Sequence, residues 1–402
     1  MNIEKIREDF PILSQRVKGK PIIYMDSACM SLRPKQVIDA MNRYYYEYGG
    51  CAGRSSHRFS KKTDEEYNRA REIVAKFISA KQQETLFTRN TTEGLNIVYN
   101  SLGLKSADVV ITTDKEHNSN LLPCQVLAKK GISHHIINSN PDNTFNIDNF
   151  HQLLEKTRPK LVSIVHTSNL DGVTNPLKDI INLSHDYDTL VLVDAAQSIP
   201  HQRIDVKRLG VDFLAFSGHK MLGPTGTGVL YGKIELLEKL SPFLVGGDTV
   251  VKTTYTDAVY EKPPEKFEAG LQNYAGMIGL GAACEYLNKI GLSNIEDHEI
   301  SLNNIISEGI KDISSLKIIG PASAEKRAGI ISFIIDKIPS HDIALMMDEM
   351  QNIMIRSGQH CVHSWFNAHN INGSARASLY LYNTKEEAHV FIDTLKKIEK
   401  LR

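Results

Sequence analysis

Short apolar runs alternate with longer amphipathic stretches between residues 80 and 233. Several runs are almost continuously apolar, as at residues 161–165 and 190–193, which is typical of strands that helices cover on both faces. The runs predict strands at residues 86–89, 109–113, 134–138, 161–167, 190–194, 213–217 and 228–231. We therefore expect an α/β fold on a mainly parallel seven-stranded sheet with helices on both faces.

The pattern changes after residue 274. Residues 274–288 are rich in glycine and alanine and predict a buried helix. Beyond it, strands at residues 330–335, 353–356 and 377–381 and helices at 341–350 and 385–400 indicate a smaller α+β domain. We expect residues 21–294 to form the large domain and residues 1–20 and 295–402 the small one, although no Gly/Pro-rich linker marks the boundary.

The composition excludes several classes of function. The chain has 402 residues, with 47 Lys and Arg against 47 Asp and Glu, so that its formal net charge is zero. Such a chain has no global field that attracts nucleic acid or an anionic membrane, and neither is a predicted partner. With 41% hydrophobic and 23% charged residues, and with no apolar leader or long apolar run, the sequence predicts a globular cytoplasmic protein.

The chain contains five cysteines, which is an odd number. They form no CxxC motif and no short Cys/His spacing that suits a structural zinc, so neither a disulfide framework nor a metal site is predicted. The composition leaves open whether one of the thiols is reactive. The candidates are Cys29, Cys51, Cys124, Cys284 and Cys361.

Two charged residues stand at the ends of predicted strands. Lys220 follows the strand at residues 213–217 in a glycine-containing segment, and Asp194 ends the apolar strand before it. Ligands bind at the carboxyl ends of such strands, and a buried carboxylate there needs a cationic or hydrogen-bonding partner. Pyridoxal 5'-phosphate (PLP) offers its pyridinium nitrogen, and PLP sites pair a Schiff-base lysine with an acid of this kind. The alternatives are a solvated loop lysine and a structural, salt-bridged aspartate.

A candidate for phosphate binding lies where another strand ends and a helix begins. Thr91 and Thr92 stand in this segment, which reads TRNTTEG over residues 88–94. Helix N-termini offer unpaired N–H groups and a favourable dipole to an anion. Simple capping of the helix explains the two threonines equally well.

Five motifs in order resemble the class V aminotransferase family: YMDSA (24–28), FTRNTTE (87–93), EHNSN (116–120), VDAAQ (193–197) and FSGHK (216–220). Three more resemble the SufS-type cysteine desulfurases within that family, which are also similar to selenocysteine lyases: FEAG (267–270), RSGQHC (356–361) and RASL (376–379). The resemblance runs from about residue 20 to the C-terminus. It implies PLP fold type I, PLP as the cofactor and a homodimer.

The resemblance also implies cofactor-binding roles for the large domain. Lys220 is expected to bind PLP covalently, and Asp194 is expected to keep its pyridine nitrogen protonated. The remaining expected cofactor ligands are His117 stacked on the ring, Asn169 and Gln197 at the phenolic oxygen, and Thr91, Thr92, Ser217 and His219 at the phosphate.

Cys361 separates a desulfurase from a transaminase, because the position of the next nucleophile decides which reaction follows. It lies in a polar, glycine-containing loop where a thiol can be exposed near Arg or His side chains. The resemblance implies that L-cysteine becomes L-alanine while a persulfide forms on Cys361, with Lys220 and His117 as the other catalytic residues. The expected substrate-binding residues are Arg376 at the carboxylate, Arg356, Ala28 and His57.

The implied destination of the sulfur is iron–sulfur cluster assembly, through an acceptor of the SufE or SufU type or a scaffold complex. Two alternatives stay open. One is a selenocysteine lyase or another PLP-dependent C–S lyase that does not depend on Cys361. The other is a non-catalytic scaffold member.

The chain departs from the family pattern at three places. Gln359 replaces the first residue of a His-His-Cys motif. Leu271 replaces a threonine that, in the family, reaches the cofactor phosphate of the neighbouring subunit, and a leucine cannot make that hydrogen bond. Cys29 and Met30 replace smaller residues beside the expected substrate pocket, where they either alter substrate preference or fill space.

Overall fold

Strands and helices alternate along most of the chain. The computed structural model describes residues 1–53 and 55–401. The strands are β1 (Arg16–Val17), β2 (Lys20–Pro21), β3 (Ile23–Tyr24), β4 (Thr85–Thr88), β5 (Val109–Thr113), β6 (Ser133–Ile137), β7 (Leu161–Val165), β8 (Leu190–Asp194), β9 (Phe213–Ser217), β10 (Gly228–Gly232), β11 (Val250–Thr253), β12 (Ala258–Tyr260), β13 (Leu316–Ile319), β14 (Ile330–Ile335), β15 (Ile353–Met354), β16 (Arg356–Gly358) and β17 (Ser374–Ser378). The helices are α1 (Ile3–Arg7), α2 (Lys35–Arg43), α3 (Arg58–Phe77), α4 (Thr91–Ser101), α5 (Asn118–Ala128), α6 (Ile147–Thr157), α7 (Leu177–His185), α8 (Val206–Leu209), α9 (Ile234–Leu237), α10 (Tyr274–Ile290), α11 (Leu292–Ile310), α12 (Ser340–Gln351), α13 (His363–Ala368) and α14 (Lys385–Glu399).

The central sheet has seven strands in the order β4-β10-β9-β8-β7-β5-β6. Neighbours from β9 to β6 are parallel, whereas β10 runs antiparallel to both β9 and β4. The predicted mainly parallel seven-stranded sheet is therefore confirmed. Because β4 runs in the same direction as the parallel strands, its carboxyl end lies at the same edge of the sheet as theirs.

The central sheet has a hydrophobic core on each face. Val191 and Val193 of β8 belong to one core cluster together with Ile180 of α7. Leu192 between them belongs to another cluster together with Leu95 of α4. Successive side chains of a strand point to opposite faces, so both faces of β8 are covered. This double cover explains why the strands are continuous apolar runs in the sequence.

A second, antiparallel sheet has the order β13-β14-β17-β16 and packs with α11, α12 and α14. The apolar pattern predicted its third strand at residues 377–381, and this prediction is wrong in position because β17 spans Ser374–Ser378. The polar residues Ser374 and Arg376 are buried in the strand with hydrogen-bonding partners. The apolar Tyr380 and Leu381 instead enter a turn in which Asn383 accepts a hydrogen bond from the Tyr380 N–H.

The other predictions for the C-terminal part agree more closely with the structure. The glycine- and alanine-rich segment forms α10, and the two later helices are α12 and α14. The strand predicted at residues 353–356 is divided into β15, which pairs with β3, and β16. The proposed division into two domains stays a prediction. Ile6 and Phe10 pack in the core of the central sheet, whereas Ile23 packs in the core of the second sheet.

The helices differ widely in polarity. α3 is the longest, with 20 residues, and many of them are charged. α10 is almost wholly buried and apolar but has 17 residues. Across residues 1–53 and 55–401, no helix combines the length and the apolar character that crossing a bilayer requires.

Candidate active site

A cavity of about 260 Å³ lies at the edge of the central sheet where the parallel strands end. It is bounded on the other side by the second sheet and the loop that follows β16. The structure brings most of the predicted site residues together in its lining: Ala28, Thr91, Thr92, His117, Asn169, Asp194, Gln197, His219, Lys220, Arg356, Cys361 and Arg376.

Lys220 and Asp194 stand at the ends of neighbouring strands. Lys220 closes a helical turn, Gly218–Lys220, directly after β9, and Asp194 is the last residue of β8. Burial lowers the pKa of Lys220, although the negative charge of Asp194 acts in the opposite direction. Burial raises the pKa of Asp194, while a hydrogen bond from the Ala196 N–H to Oδ1 at 2.9 Å and the charge of Lys220 oppose this rise. The carboxylate therefore gains from a cationic partner.

Three polar atoms in the cavity lining have no hydrogen-bonding partner within the described part of the chain. They are Oε1 of Gln197, Nδ1 of His360 and Nε of Arg376, and all three side chains are buried. Buried polar groups in proteins are nearly always hydrogen-bonded, and unpaired ones are costly. Their convergence on one cavity indicates a polar ligand.

The N-terminus of α4 forms one end of the cavity. Asn90 caps the helix by accepting a hydrogen bond from the Glu93 N–H at 3.0 Å. Thr92 lines the cavity, and its hydroxyl is 2.7 Å from the Ser119 hydroxyl. A Cβ added at Gly228 would lie 2.6 Å from Asn90 Cα, so only glycine permits this close approach. The helix dipole and the hydroxyl of Thr92 make this end suited to a phosphate.

Ser217 does not line the cavity. Its side chain is buried, and its hydroxyl oxygen accepts a hydrogen bond from the Thr91 N–H at 2.8 Å and lies 2.6 Å from the Thr91 hydroxyl. The residue therefore holds the start of α4 against β9 in this structure.

His117 lies at the N-terminus of α5, and its Nδ1 accepts a hydrogen bond from the Ser119 N–H at 3.1 Å. Burial, with smaller contributions from the charges of Lys220 and Arg376, lowers its pKa to about 3. The imidazole is therefore neutral at physiological pH. A neutral aromatic ring in this position can stack on a planar cofactor.

Glu116, which precedes His117, is fully buried. Its carboxylate accepts hydrogen bonds from the Thr113 hydroxyl at 2.6 Å, the Val165 N–H at 3.0 Å and the Asn120 amide at 2.7 Å. These bonds join the ends of β5 and β7 to the start of α5. Burial raises the pKa of Glu116 to about 7, although the hydrogen bonds oppose this rise.

Cys361 is exposed and lies in a loop with an uncommon backbone conformation. Its φ is 59° and that of His360 is 48°, a left-handed region that few residues other than glycine adopt. Two contacts from segments that follow β5 and β7 hold the loop. The Asn118 N–H donates to the Cys361 carbonyl at 2.8 Å, and the Asn169 amide donates to the His360 carbonyl at 2.8 Å.

His360 is buried beside the nucleophile candidate. Its Nε2 lies 2.8 Å from the Ser374 hydroxyl. Burial lowers the pKa of His360 to about 2, and the charges of Arg376 and Arg356 act in the same direction. The ring is therefore neutral, and it lines the cavity next to Cys361.

Two arginines from adjacent strands reach the cavity, since Arg356 of β16 pairs in register with Arg376 of β17. Arg376 is 2% exposed and donates from Nη1 to the Asn169 carbonyl at 2.9 Å, while Nη2 lies 3.5 Å from Asp26. Arg356 donates from Nε to both oxygens of Asp26 at 3.2 Å and from Nη2 to Cys29 Sγ at 2.8 Å. Asp26 therefore holds both guanidinium groups.

His57 lies outside the cavity, contrary to the sequence-based expectation for a substrate-binding residue. It is exposed, and its Nδ1 accepts a hydrogen bond from the Ser60 N–H at 3.2 Å, which caps α3. Four further residues contribute to the site and were not predicted. Asn90, Ser119 and His360 line the cavity, and Asp26 orients the arginines. All four stand inside the family-like motifs, which is the signal that could have identified them.

The comparison with known families agrees with this geometry. The family model described as aminotransferase class V matches residues 23–391. The chain belongs to the class V aminotransferase family. The predicted resemblance is confirmed, and PLP is the cofactor that members of this family use. The Lys220 and Asp194 pair, the unpaired polar atoms and the start of α4 fit PLP.

Three proteins similar to this chain are named as cysteine desulfurases. A probable cysteine desulfurase from Synechocystis sp. is 41% identical over 397 residues, covering 97% of this chain and 94% of the relative. The apo structure of a cysteine desulfurase from Thermococcus onnurineus NA1 has a TM-score of 0.94 at 38% identity and covers 99% and 98% of the two chains. The cysteine desulfurase CsdA from Escherichia coli has a TM-score of 0.91 at 30% identity and covers 100% and 99%.

Proposed function

We propose that this chain is a cysteine desulfurase that converts L-cysteine to L-alanine and keeps the sulfur as a persulfide on Cys361. The observation that carries the proposal is the position of Cys361. An exposed thiol lines the same cavity as Lys220 and Asp194, so the cofactor residues and a nucleophile face one space. A transaminase has no use for this thiol.

We propose that Lys220 binds PLP covalently and that Asp194 binds its ring nitrogen. Bound PLP withdraws electrons from an amino acid and makes its Cα and Cβ reactive. Asp194 pairs with the protonated ring nitrogen, which offsets the burial of its carboxylate. Because burial lowers the pKa of Lys220, its amine is more readily available in the neutral form to take up the proton from Cα.

His117, Asn169 and Gln197 surround the remaining faces of the cofactor in this proposal. His117 stacks as a neutral ring, and the free Oε1 of Gln197 marks a side chain whose amide can turn toward a ligand oxygen. Thr91, Thr92 and His219 lie toward the phosphate end. Ser217 supports that end through Thr91.

Arg376 is the proposed ligand of the substrate carboxylate. It is buried in the cavity lining and its Nε is unpaired within residues 1–53 and 55–401. Guanidinium presents two parallel donors that match a carboxylate. Ala28 lines the adjacent wall, and Arg356 stands further out.

Cys361 then receives the sulfur. Its thiolate attacks the sulfur atom of cysteine, an S–S bond forms, and the Cβ–S bond breaks with its electron pair left on carbon. That carbon takes up a proton and is released as alanine. A thiolate suits the step because sulfur nucleophiles attack sulfur readily.

We further propose that the product sulfur supplies iron–sulfur cluster assembly in the cytoplasm, through an acceptor protein of the SufE or SufU type or a scaffold complex. The exposed position of Cys361 supports delivery to a protein rather than release within a closed site. A homodimer is proposed because large apolar side chains are exposed between residues 244 and 271, with Val251 64% and Leu271 73% exposed. Analytical ultracentrifugation tests this, and a monomer at micromolar concentration would exclude it.

The test compares alanine release from L-cysteine and from L-selenocysteine by PLP-loaded wild type, Cys361→Ser and Cys51→Ser. Cys51 is a matched control because it is a half-buried thiol outside the cavity lining. We expect Cys361→Ser to lose turnover of cysteine and Cys51→Ser to retain it. Undiminished turnover of cysteine by Cys361→Ser would favour a lyase that needs no thiol. PLP binding is measured by visible absorbance, and a wild type that binds no PLP would favour a non-catalytic scaffold.

A further inference from the structure

Cys29 is a second thiol in the active-site cavity. It lies in the turn after β3, where the Cys29 N–H donates to the Asp26 carbonyl at 3.1 Å. Its side chain is half-buried, and it lines the same cavity as Cys361. The other described cysteines do not line it, since Cys124 and Cys284 are buried in the core and Cys51 lies elsewhere.

A guanidinium group is fixed beside this thiol. Arg356 donates from Nη2 to Cys29 Sγ at 2.8 Å, and its Nε contacts both oxygens of Asp26 at 3.2 Å. The contacts with Asp26 hold the guanidinium in place, so Cys29 faces a permanent positive charge. This guanidinium can donate a hydrogen bond to a persulfide sulfur carried by Cys29.

The partner of Cys29 and the second thiol, Cys361, lie on one segment of the chain. Arg356 begins β16, and the loop that directly follows β16 carries Cys361. Both thiols line the same cavity as Lys220. They differ in exposure, because Cys361 is exposed to solvent and Cys29 is recessed. The unpaired Nε of the buried Arg376 lies in the same lining and provides further positive charge.

We propose that Cys29 is a second sulfur carrier that takes over the sulfur from Cys361. The inference rests on the proposed desulfurase function. The Cys29 thiolate attacks the terminal sulfur of the Cys361 persulfide, a new S–S bond forms on Cys29, and the old S–S bond breaks with its electron pair on Cys361 Sγ. No outside oxidant or reductant is needed, because one S–S bond breaks as one forms and the total charge does not change.

The exchange leaves the sulfur in a protected place. The persulfide anion on Cys29 is paired with Arg356, and Cys361 is again a free thiolate at the cavity mouth. A second cysteine can then react before an acceptor arrives. The chain therefore stores up to two sulfur atoms.

The test uses the PLP-loaded full chain and L-cysteine that carries a heavy sulfur isotope, without an acceptor. After alkylation, trypsin cleaves after Lys and Arg except before Pro, which leaves Cys29, Cys51 and Cys361 on separate peptides. Mass spectrometry then locates the label. We expect label on the peptides of Cys361 and Cys29 and none on that of Cys51. The first burst should yield about twice as much alanine per chain in the wild type as in Cys29→Ser.

The variants separate the possible outcomes. Cys361→Ser should carry no label on Cys29, and label there would overturn the proposed order of transfer. Label on Cys361 alone in the wild type would overturn the inference and leave the proposed function standing, whereas an unlabelled Cys361 would overturn both. Cys29→Ala controls for effects of the serine hydroxyl on folding. Cys51→Ser controls for the loss of a half-buried thiol elsewhere in the chain. Arg356→Gln should lower the ratio of label on Cys29 to label on Cys361.

Discussion

The substitution Arg376→Lys tests the proposed recognition of the substrate carboxylate. Arg376 lines the cavity, is 2% exposed and donates to the Asn169 carbonyl at 2.9 Å, and its Nε has no partner among the described residues. Lysine keeps the charge but loses one of two charge-assisted hydrogen bonds to the substrate, at about 1.5–3 kcal/mol, and the bond to Asn169, at about 0.5–1.5 kcal/mol. The sum is about 2–4.5 kcal/mol, which corresponds to a fall in kcat/KM of about 30- to 2,000-fold.

The assay is alanine release from L-cysteine as a function of substrate concentration. We expect KM to rise strongly, since the lost bonds hold the ground state as well as the transition state. We also expect kcat to fall, because Asn169 holds the His360 carbonyl next to Cys361. Arg356→Lys is the control, since its side chain is 43% exposed, and it should change kcat/KM by about fivefold or less. A kcat/KM within about threefold of wild type in Arg376→Lys would refute the assignment.

Three further predictions follow from buried carboxylates. Asp194→Asn keeps the bond from the Ala196 N–H but loses the charge, so PLP should still bind while kcat falls about 100- to 1,000-fold; wild-type turnover would contradict the role. Glu268→Ala removes both 2.7 Å bonds to buried Arg71 and should lower the free energy of unfolding by about 3–5 kcal/mol in urea titrations, whereas Arg71→Met/Glu268→Leu should restore most of it. An unchanged unfolding midpoint in Glu268→Ala would contradict this. Burial raises the pKa of Glu116 from 4.5 to about 7. Its protonated form therefore contributes about 3 kcal/mol to the free energy of unfolding, and this contribution is fully present below pH 4.5. The contribution is lost as the pH rises from 4.5 through 7. Glu116→Gln should remove that slope, and a slope equal to wild type would exclude Glu116 as its source.

The central sheet was predictable because its physics is local. The strands β7, β8 and β9 are buried on both faces, so each is an apolar run, and helices of the expected polarity lie between the runs. β17 was predicted poorly for the opposite reason. Its burial depends on hydrogen bonds between Ser374 and His360 and between Arg376 and Asn169. A pattern of hydrophobic residues does not predict such partners.

The site was predictable as far as its motifs reached. Lys220 and Asp194 stand at strand ends, which the sequence marks clearly, and the structure brings them into one cavity. The contact between Arg356 and Cys29 joins residues 327 positions apart, and no spacing rule predicts it. A motif also does not predict that His57 caps α3, because this position depends on the backbone conformation before the helix.

The contacts of Asn169 have a consequence for how this enzyme can change over evolution. One residue accepts a hydrogen bond from Arg376 through its carbonyl and holds the His360 carbonyl through its amide. Mutations in the carboxylate pocket and in the cysteine loop therefore cannot be selected independently, and their effects should be strongly non-additive. A lineage that acquires a substrate without a carboxylate has to rebuild the support of its nucleophile at the same time.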